Sequence, residues 1–393
     1  MSWRQDAVRV LCTLVLLGCS PLPTDVARDA PAMTPTLADS SRMYSQVVAG
    51  FVHSCALTDD GAAVCWGNND YGQLGTDAAA ESCGGRPCSS TPVSVSGGRS
   101  FTVLAAGWVH NCGIASGGAA YCWGGGAQSG RGYLGDGAVS RSETPVRVLA
   151  DSAFVAVTIG DGHTCALTES GLAYCWGQND RGQVGDGTDL DRSSPVLVST
   201  SLRFLSLSAG AYHTCGVTTS NAAYCWGDHR WGQLGVGDVE YNSAAVNEAA
   251  PPAGGGGLLV AEIAAGWQHT CALTTTGAAY CWGRNDDARQ LGDGSDATLR
   301  GTPARVVGGM TFVALTAGPL STCGHTAADA LYCWGGNYYG GLGNGETDAS
   351  GVGHPVRAQG GPFADVGIGQ GHACAIKADQ RLWCWGDQSA GQF

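Results

Sequence analysis

The sequence has little charge, and least of all positive charge. Only 13% of its 393 residues are charged, and 20 Lys and Arg against 33 Asp and Glu leave a formal net charge of −13. Proteins that bind the phosphate backbone of nucleic acids need clustered Lys and Arg. We therefore expect no nucleic-acid partner.

Three other features are scarce. Apart from residues 8–17, which are too few to span a bilayer, the chain has no long apolar run, and no segment shows helical periodicity over helical length. Neither Gly-x-Ser-x-Gly, His-Glu-x-x-His nor a phosphate-binding glycine loop occurs in the right context. We expect a non-catalytic protein without a cofactor. The alternative is an enzyme whose active site is assembled from loops of several repeats.

The amino terminus has the pattern of an export signal. Arg4 and Arg9 supply positive charge, and the apolar run is followed by a cysteine in the sequence LLGC, which resembles the lipobox of bacterial lipoproteins. In that family the cysteine, here Cys19, is lipidated and becomes the new amino terminus. The alternative is an ordinary signal peptide.

The lipobox resemblance divides the chain into three parts. Residues 1–18 are expected to be a lipoprotein signal peptide, residues 19–33 a flexible tether, and residues 34–393 a folded domain. With Ser20 after the cysteine, the resemblance implies an exported bacterial outer-membrane lipoprotein that faces the periplasm or the cell surface. Its only attachment to a membrane would be the lipidated Cys19.

Cysteine and glycine, by contrast, are abundant and periodic. The chain has 18 Cys and 63 Gly, and a Cys-Trp-Gly triplet recurs seven times with another cysteine ten residues before each. The segment between the cysteines suits a hairpin with a three-residue turn, although Gln380 fits the left-handed position of the last turn poorly. In this register paired cysteines face each other on antiparallel strands with Cα atoms about 4.5–5.5 Å apart, within reach of a disulfide. The expected pairs are Cys55–Cys65, Cys112–Cys122, Cys165–Cys175, Cys215–Cys225, Cys271–Cys281, Cys323–Cys333, Cys374–Cys384 and, in an insertion of the first unit, Cys83–Cys88.

Metal binding is the rival explanation for these cysteines. A histidine stands two residues before the first cysteine of six pairs, but this cysteine spacing in an exported chain matches no common zinc site, so we expect disulfides and no metal. These histidines are expected to be core or inter-blade residues: His53, His110, His163, His213, His269 and His372. The acidic segment at residues 186–191 could hold calcium, although turn formation explains it better.

Each repeat unit contains four strand signals. In the third unit they cover residues 145–148, 154–159, 163–168 and 172–176, which are short, rich in β-branched or aromatic residues and separated by turns. Seven such units predict an all-β, seven-bladed β-propeller of four-stranded antiparallel blades, stapled by intra-hairpin disulfides. Since neighbours on a strand alternate in direction, the tryptophans should cover one face of each blade and the disulfides the other. We expect blades one and seven to meet directly.

The repeat resembles that of a known family. The pattern Gly-x-x-His-Thr-Cys-Ala-Leu-Thr…Gly…Tyr-Cys-Trp-Gly-x-Asn-x-x-Gly-Gln-Leu-Gly is similar to the repeat of the regulator of chromosome condensation family, in its secreted bacterial, cysteine-paired form, over residues 34–393. The resemblance implies a seven-bladed propeller. Through its likeness in kind to the propellers that inhibit β-lactamases, it also implies a module that binds a protein partner. We expect the chain to be a monomer.

Candidate partner-binding residues lie in two kinds of loop that should emerge on one face of the disc, namely the pair within Gly-x-x-His and the segment after Cys-Trp-Gly. Large aromatic side chains and arginines, the types that dominate binding hot spots, occur there. They are Phe51, Tyr71, Trp108, Tyr133, Arg181, Tyr212, Arg230, Trp231, Trp267, Tyr338 and Tyr339. The alternatives are carbohydrate as the partner and a simple plug of the channel mouth as the role. The turns of the opposite face, such as residues 58–61 and 168–171, are small and polar.

Overall fold

The computed structural model describes residues 34–35, 42–77, 81–126, 131–138, 141–237, 246–250 and 258–392, whose regular structure consists of β-strands. The strands form seven antiparallel sheets. Each sheet is a blade, and we number the blades by the chain order of their innermost strands. The expectations for Cys19 and for residues 1–33 lie outside the described residues.

The first strand of the chain, β1 (Thr34–Pro35), belongs to the last blade. Blade 1 contains β2 (Tyr44–Ala49), β3 (His53–Thr58), β4 (Ala63–Asn68), β5 (Glu81–Cys83) and β6 (Arg86–Ser94), blade 2 contains β7 (Phe101–Ala106), β8 (His110–Ala115), β9 (Ala120–Gly124) and β10 (Ser142–Arg147), and blade 3 contains β11 (Ala156–Ile159), β12 (His163–Leu167), β13 (Ala173–Gly177) and β14 (Arg192–Leu197).

Blade 4 contains β15 (Phe204–Ala209), β16 (His213–Thr218), β17 (Ala223–Gly227) and β18 (Val246–Ala250), and blade 5 contains β19 (Val260–Ala265), β20 (His269–Thr274), β21 (Ala279–Arg284) and β22 (Leu299–Arg305). Blade 6 contains β23 (Ala314–Ala317), β24 (Ser321–His325), β25 (Leu331–Asn337) and β26 (Asp348–Arg357), and blade 7 contains β27 (Phe363–Ile368), β28 (His372–Lys377) and β29 (Leu382–Gly386) together with β1.

The innermost strands form a closed ring. Each contacts the innermost strand of the next blade, in the order β2, β7, β11, β15, β19, β23, β27 and back to β2. Closing the sheets radially protects their edges, which is how a propeller of separate blades stays soluble. The predicted seven-bladed propeller is confirmed, and within the described residues blade 1 alone has a fifth strand, β5.

Blades 1 and 7 meet directly, as expected, since β2 contacts β27 and β28. The sequence units do not coincide with the blades, however, because β1 completes blade 7, with Thr34 opposite Cys384 and Pro35 opposite Trp383. The first strand of each sequence unit is therefore the outermost strand of the preceding blade. Without β1 the outer edge of β29 would be open to pairing with another chain.

The hairpin disulfides form as predicted. In blade 1 Cys55 pairs in register with Cys65, and their Cα atoms lie 4.1 Å apart. Opposed residue pairs along an antiparallel hairpin alternate between hydrogen-bonded and non-hydrogen-bonded. Since Thr58 and Ala62 are a hydrogen-bonded pair at the turn, the cysteines three pairs farther along are a non-hydrogen-bonded pair, in which the two strands approach most closely. The same pairing recurs in all seven blades, and Cys83 and Cys88 form an eighth disulfide in the blade 1 insertion.

The doubtful turn of blade 7 has the same conformation as the others. Gln380 has φ +62°, close to Gly61 at +81° in blade 1, and its N–H donates to the Lys377 carbonyl oxygen at 2.8 Å. A side chain is disfavoured at such a φ but is not excluded, especially when neighbouring strands fix the turn. Gln380 therefore adopts the left-handed conformation that the turn requires, despite its poor fit.

The main core lies between blades. Trp123 of blade 2 is fully buried against Phe101 of its own blade and against the Cys55–Cys65 disulfide and Leu74 of blade 1. Its indole N–H donates to the Gln73 carbonyl oxygen at 3.1 Å. The Trp face of one blade thus packs on the disulfide face of the blade before it. Trp66 closes this pattern, because it packs on the blade 7 disulfide and its N–H donates to the Gln392 carbonyl oxygen at 2.6 Å.

The predicted inter-blade histidines form side-chain hydrogen bonds that join six of the seven pairs of neighbouring blades. His163 Nε2 lies 2.8 Å from Thr214 Oγ1 of the next blade, and the Thr214 hydroxyl donates to the Gln183 carbonyl oxygen at 2.9 Å. The Nε2 atom must therefore carry the proton, and Nδ1 carries none. The corresponding pairs are His53 with Asn111, His110 with Thr164, His213 with Thr270, His269 with Thr322 and His372 with Ser54.

The other nitrogen of these rings has no hydrogen-bond partner. In all six histidines Nδ1 is buried and makes no hydrogen bond to the described residues. In five of the six it lies against the glycine that begins Gly-x-x-His. A Cβ on Gly210, for example, would fall 2.6 Å from His213 Nδ1 and 2.4 Å from the Gly266 carbonyl oxygen, so only glycine fits. Burial lowers the pKa of each of these histidines to about 3 or about 4.

Candidate functional site

The two faces of the disc differ in their loops. One carries the Gly-x-x-His loops and the loops after Cys-Trp-Gly, and we call it the aromatic face. The other carries the turns between the second and third strands of each blade, and we call it the hairpin face. Contacts between neighbouring blades support the assignment: Gly61 in such a turn lies against Ser100, at the start of the innermost strand of blade 2, whereas Tyr133 after Cys-Trp-Gly lies against Gly162 of a Gly-x-x-His loop.

Three of the predicted site residues meet at the mouth of the central channel. Phe51, Trp108 and Trp267 come from blades 1, 2 and 5. They line one cavity of about 90 Å³ together with the carboxyl-terminal ends of all seven innermost strands. The Phe51 ring centroid lies 5.5 Å from that of Trp108, with the planes at 56°, and 5.8 Å from that of Trp267, at 69°. Trp267 therefore reaches across the channel axis, and Trp108 remains 41% exposed.

A carboxylate completes this mouth. Asp161 occupies in blade 3 the loop position that Phe51, Trp108 and Trp267 occupy in theirs, and its Oδ2 accepts a hydrogen bond from Trp267 Nε1 at 2.8 Å. Burial raises the pKa of Asp161 to about 6 even though this hydrogen bond acts in the opposite direction. The sequence prediction missed Asp161 because it selected aromatic and Arg side chains, although the repeat alignment places it in the same column.

A second group of predicted residues lies in loops of blades 2, 3 and 4. Tyr133 stacks on the buried ring of His110, with centroids 5.7 Å apart. Tyr212 lies close enough to Arg181 for their charges to interact. Burial raises the pKa of the phenols of Tyr133 and Tyr212. Arg230 Nε donates to Oδ1 of the buried Asp228 at 2.9 Å and its Nη2 donates to Oδ2 at 2.6 Å, so the charge of Arg230 is already neutralised.

A third group spans blades 4 to 7. The Arg284 guanidinium lies 4.5 Å above the Trp231 ring and also pairs with Asp286. Tyr338 is near Arg284 as well, and burial raises the pKa of its phenol. Tyr339 is 49% exposed and lies against Gly371 of blade 7. Arg284 is a site residue that sequence reasoning missed, although it directly follows a Cys-Trp-Gly triplet.

Two further expectations can be compared with the structure. Tyr71 is partly buried in a blade 1 loop, and in the described part of the chain it makes no ring contact with the other predicted residues. Asp186, in the segment considered for calcium, is occupied by its neighbours: it accepts hydrogen bonds from Thr188 and, at 2.6 Å, from Arg192 Nε. The turn explanation accounts for this carboxylate.

The hairpin face is less polar than expected. Its turns are polar, but the starts of the innermost strands expose an arc of apolar side chains across four consecutive blades: Val155, Leu205, Leu259 and Val313. Leu205 is 56% exposed, compared with 49% for Tyr339 on the aromatic face. The sequence prediction considered only the turns of this face and not the strand starts beside them. The arc is a second surface that any test of function must control for.

These features define a β-propeller. Its seven blades close into a ring, each blade packs tightly on the one before it, and its variable residues lie on the two faces. The chain belongs to the RCC1-like domain family. The sequence model of that domain matches residues 16–359, and the model of the regulator of chromosome condensation (RCC1) repeat matches residues 363–392. This confirms the family resemblance of the repeat.

Individual relatives agree with this family. The chain is 31% identical over 352 residues to the ultraviolet-B receptor UVR8 of Arabidopsis thaliana, covering 88% of this chain and 66% of that protein. It is 30% identical over 337 residues to the human E3 ubiquitin-protein ligase HERC2, covering 84% of this chain and 6% of HERC2. The chain thus spans under two thirds of the length of either relative.

Solved structures share the fold. Prp20p of Saccharomyces cerevisiae superimposes with a TM-score of 0.73 at 23% identity, over 88% of this chain and 83% of Prp20p. Human WBSCR16 superimposes with a TM-score of 0.74 at 20% identity, over 88% of each chain. Among the described residues there is no helix of the length and apolarity that crossing a membrane requires.

Proposed function

We propose that this propeller is a non-catalytic binding module that presents its aromatic face to a protein partner. The observation that carries the proposal is the placement of aromatic side chains at repeat positions free to vary, several of them partly exposed on one face. Trp, Tyr and Arg dominate protein-binding hot spots because they offer large contact areas with few rotatable bonds. Prp20p, which shares the fold, has been described with its binding to Gsp1p and histones.

We also propose that the module is anchored to the cell envelope. The support is the sequence LLGC at residues 16–19 and the unusual number of buried disulfides, which form and persist in oxidising compartments. The described domain begins with β1 on the outer edge of blade 7, so a tether from Cys19 would reach the disc at its rim. Both faces would then be free to meet a partner.

The anchor is tested by replacing its cysteine. A Cys19→Ala protein is expected to lose labelling by a palmitate analogue and to move from the detergent phase to the aqueous phase. The wild-type chain and a Cys12→Ala variant serve as controls, because Cys12 lies inside the segment that would be removed. Retained labelling of the Cys19→Ala chain would contradict the proposal.

The partner face is tested by truncating its tryptophans. Trp108→Ala, Trp231→Ala and Trp267→Ala are each expected to weaken binding of the cognate protein by about 2 kcal/mol or more, the loss typical of hot-spot aromatics. The measurement is the dissociation constant for the partner that crosslinks to the intact chain. Thermal unfolding would confirm that each variant is folded.

A matched control lies on the hairpin face. Leu205→Ala and Val313→Ala remove exposed apolar side chains of that face and should leave the affinity within about twofold of wild type. If the hairpin-face variants lose binding and the three tryptophan variants keep it, the partner binds the other face. Loss of binding in neither set would contradict both surfaces.

A further inference from the structure

The cavity at the channel mouth has an uncompensated negative charge. Asp161 is the one carboxylate among the residues that line it, and no Lys, Arg or His belongs to that lining. Within the described residues Asp161 forms no ion pair, and its single side-chain hydrogen bond comes from Trp267. Carboxylates removed from water are normally paired with a cation or with several donors. This site supplies the anion without its counter-charge.

The remaining walls are aromatic and aliphatic. Three rings stand at steep angles to one another, with Phe51 at 56° to Trp108 and at 69° to Trp267. Beneath them the floor is built of small side chains from the innermost strands, including Ala49, Ala106, Ala209, Ala265 and Ala317. Ring faces attract cations through their quadrupole, most strongly where water is excluded.

We propose that this mouth is a binding site for a quaternary ammonium group, held against the faces of Phe51, Trp108 and Trp267 and neutralised by Asp161. The proposal goes beyond the protein-partner function, because the isolated chain is sufficient for it. The head group could belong to a free solute of the choline type or to a trimethylated lysine of a protein, which present the same chemistry.

The lining selects a methylated ammonium over a primary one. A primary ammonium carries three N–H donors, and each must find an acceptor when it leaves water. Among the side chains of the lining only the Asp161 carboxylate can accept a hydrogen bond, and its Oδ2 already accepts from Trp267. A trimethylammonium group has no donors to satisfy, and its methyl groups pack on rings and alanine side chains.

Size and charge agree with this ligand. About 10–15 Å³ of such cavity volume holds one water-sized group, so a cavity of about 90 Å³ accommodates the nitrogen and carbons of a trimethylammonium head. Burial raises the pKa of Asp161 to about 6, so the carboxylate is largely ionised at neutral pH yet poorly solvated. A bound cation would restore the stabilisation that water no longer gives. The formal net charge of −13 also favours cation approach.

The test compares choline with its neutral carbon isostere, 3,3-dimethylbutan-1-ol, by isothermal titration calorimetry of the full chain at neutral pH. We expect saturable choline binding and at least about tenfold weaker binding of the isostere, because the shapes match and only the charge differs. Equal binding of the two, or no saturable binding of choline, would overturn the proposal. This comparison needs no variant, so misfolding cannot obscure it.

Variants then locate the site. Asp161→Asn keeps the shape and an acceptor for Trp267, and Trp108→Leu changes a partly exposed ring; each is expected to weaken choline binding at least about tenfold. Glu169→Gln, which removes an exposed carboxylate on the hairpin face outside the cavity lining, should leave it within about twofold. Unchanged affinity in Asp161→Asn and Trp108→Leu would place any choline binding elsewhere and overturn the proposal.

A peptide arm distinguishes the two sources of the head group. A trimethyllysine peptide that binds at least about tenfold more tightly than choline, and more tightly than its unmethylated form, identifies a protein side chain as the ligand. Equal affinity of peptide and choline identifies a free solute. Both results support the ammonium site, and neither depends on whether the aromatic-face tryptophans bind the cognate protein. Failure of one proposal therefore leaves the other standing.

Discussion

Acidification from about pH 7.5 to about pH 5.5 is expected to lower the free energy of unfolding of the propeller by about 6–8 kcal/mol. The cause is the set of six buried histidines. Burial lowers the pKa of each to about 3 or about 4 in the folded chain, from 6.5 in the unfolded chain. Whole domains are stabilised by only about 5–15 kcal/mol, so the expected loss is of the order of the entire stability.

The sign follows from proton counting. Below pH 6.5 the unfolded chain binds protons that the folded chain does not, so stability is fully present above that value and is lost as the pH falls toward the folded pKa. Each histidine contributes about 1 kcal/mol over this interval, because its folded pKa lies well below the lower of the two pH values. Asp161, Glu262 and Asp365 act in the opposite direction, since burial raises the pKa of each, and they offset a small part.

Geometry supports this expectation independently of pKa values. Protonation would place a proton on Nδ1, which faces a glycine Cα and has no acceptor, as at His213 and Gly210. A buried charged group without a hydrogen-bond partner is strongly disfavoured. The six histidines must therefore stay neutral, or the blade interfaces that bury them must open.

The measurement is denaturant unfolding at the two pH values, under non-reducing conditions. The chain offers its own control, because blade 6 has Ser321 where the other blades have histidine. A His213→Ser variant should lose about 1 kcal/mol less than wild type between the two pH values, even if its stability at neutral pH also changes. A pH dependence that is the same in wild type and variant would contradict the assigned cause.

The second large effect concerns the hairpin disulfides. A Cys215→Ala/Cys225→Ala variant is expected to be less stable than wild type by about 2–3 kcal/mol from the lost cross-link of an 11-residue loop, with a further loss from packing. The packing loss arises because both sulfurs are fully buried in the cluster that holds Trp282 of the next blade. The measurement is guanidinium unfolding without reductant.

The eighth disulfide is the matched control. Cys83–Cys88 joins β5 to β6 at the outer edge of blade 1, where Cys83 is only partly buried. A Cys83→Ala/Cys88→Ala variant should change the global unfolding free energy by less than about 1 kcal/mol, because an edge strand can detach while the blade stays folded. Under mild reduction this pair should also be the first to give free thiols. Equal losses in both variants would argue against the inter-blade role of the hairpin disulfides.

The repeat made most of the fold predictable. Seven copies of one pattern gave the strands, the blade number and the in-register pairing of Cys55 with Cys65, because each depends on contacts within about 25 residues of sequence. Ring closure was not predictable in the same way. Whether Thr34 pairs with the first blade or the last depends on contacts between the two ends of the chain, about which a local pattern carries no information.

The sequence predicted which loops share the face of the candidate site, but it did not identify all of the residues that form the site. The loops on the aromatic face were identified correctly, and Phe51, Trp108 and Trp267 do come together. That Trp267 spans the channel to reach Asp161 depends on side-chain length and on the channel diameter, which the sequence does not give. The apolar arc through Leu205 was missed for a related reason, because exposure at a strand start depends on the neighbouring blade.

The central claim, that the aromatic face meets a protein partner, is tested most directly by site-specific photocrosslinking of the full chain in the cell. A photoreactive amino acid would replace Tyr339 on the aromatic face, and in a second variant Glu169 on the hairpin face, both of which are exposed. We predict that the Tyr339 position captures one discrete protein and that the Glu169 position captures none. Capture from Glu169, or from Leu205 in its place, with none from Tyr339 would contradict the claim.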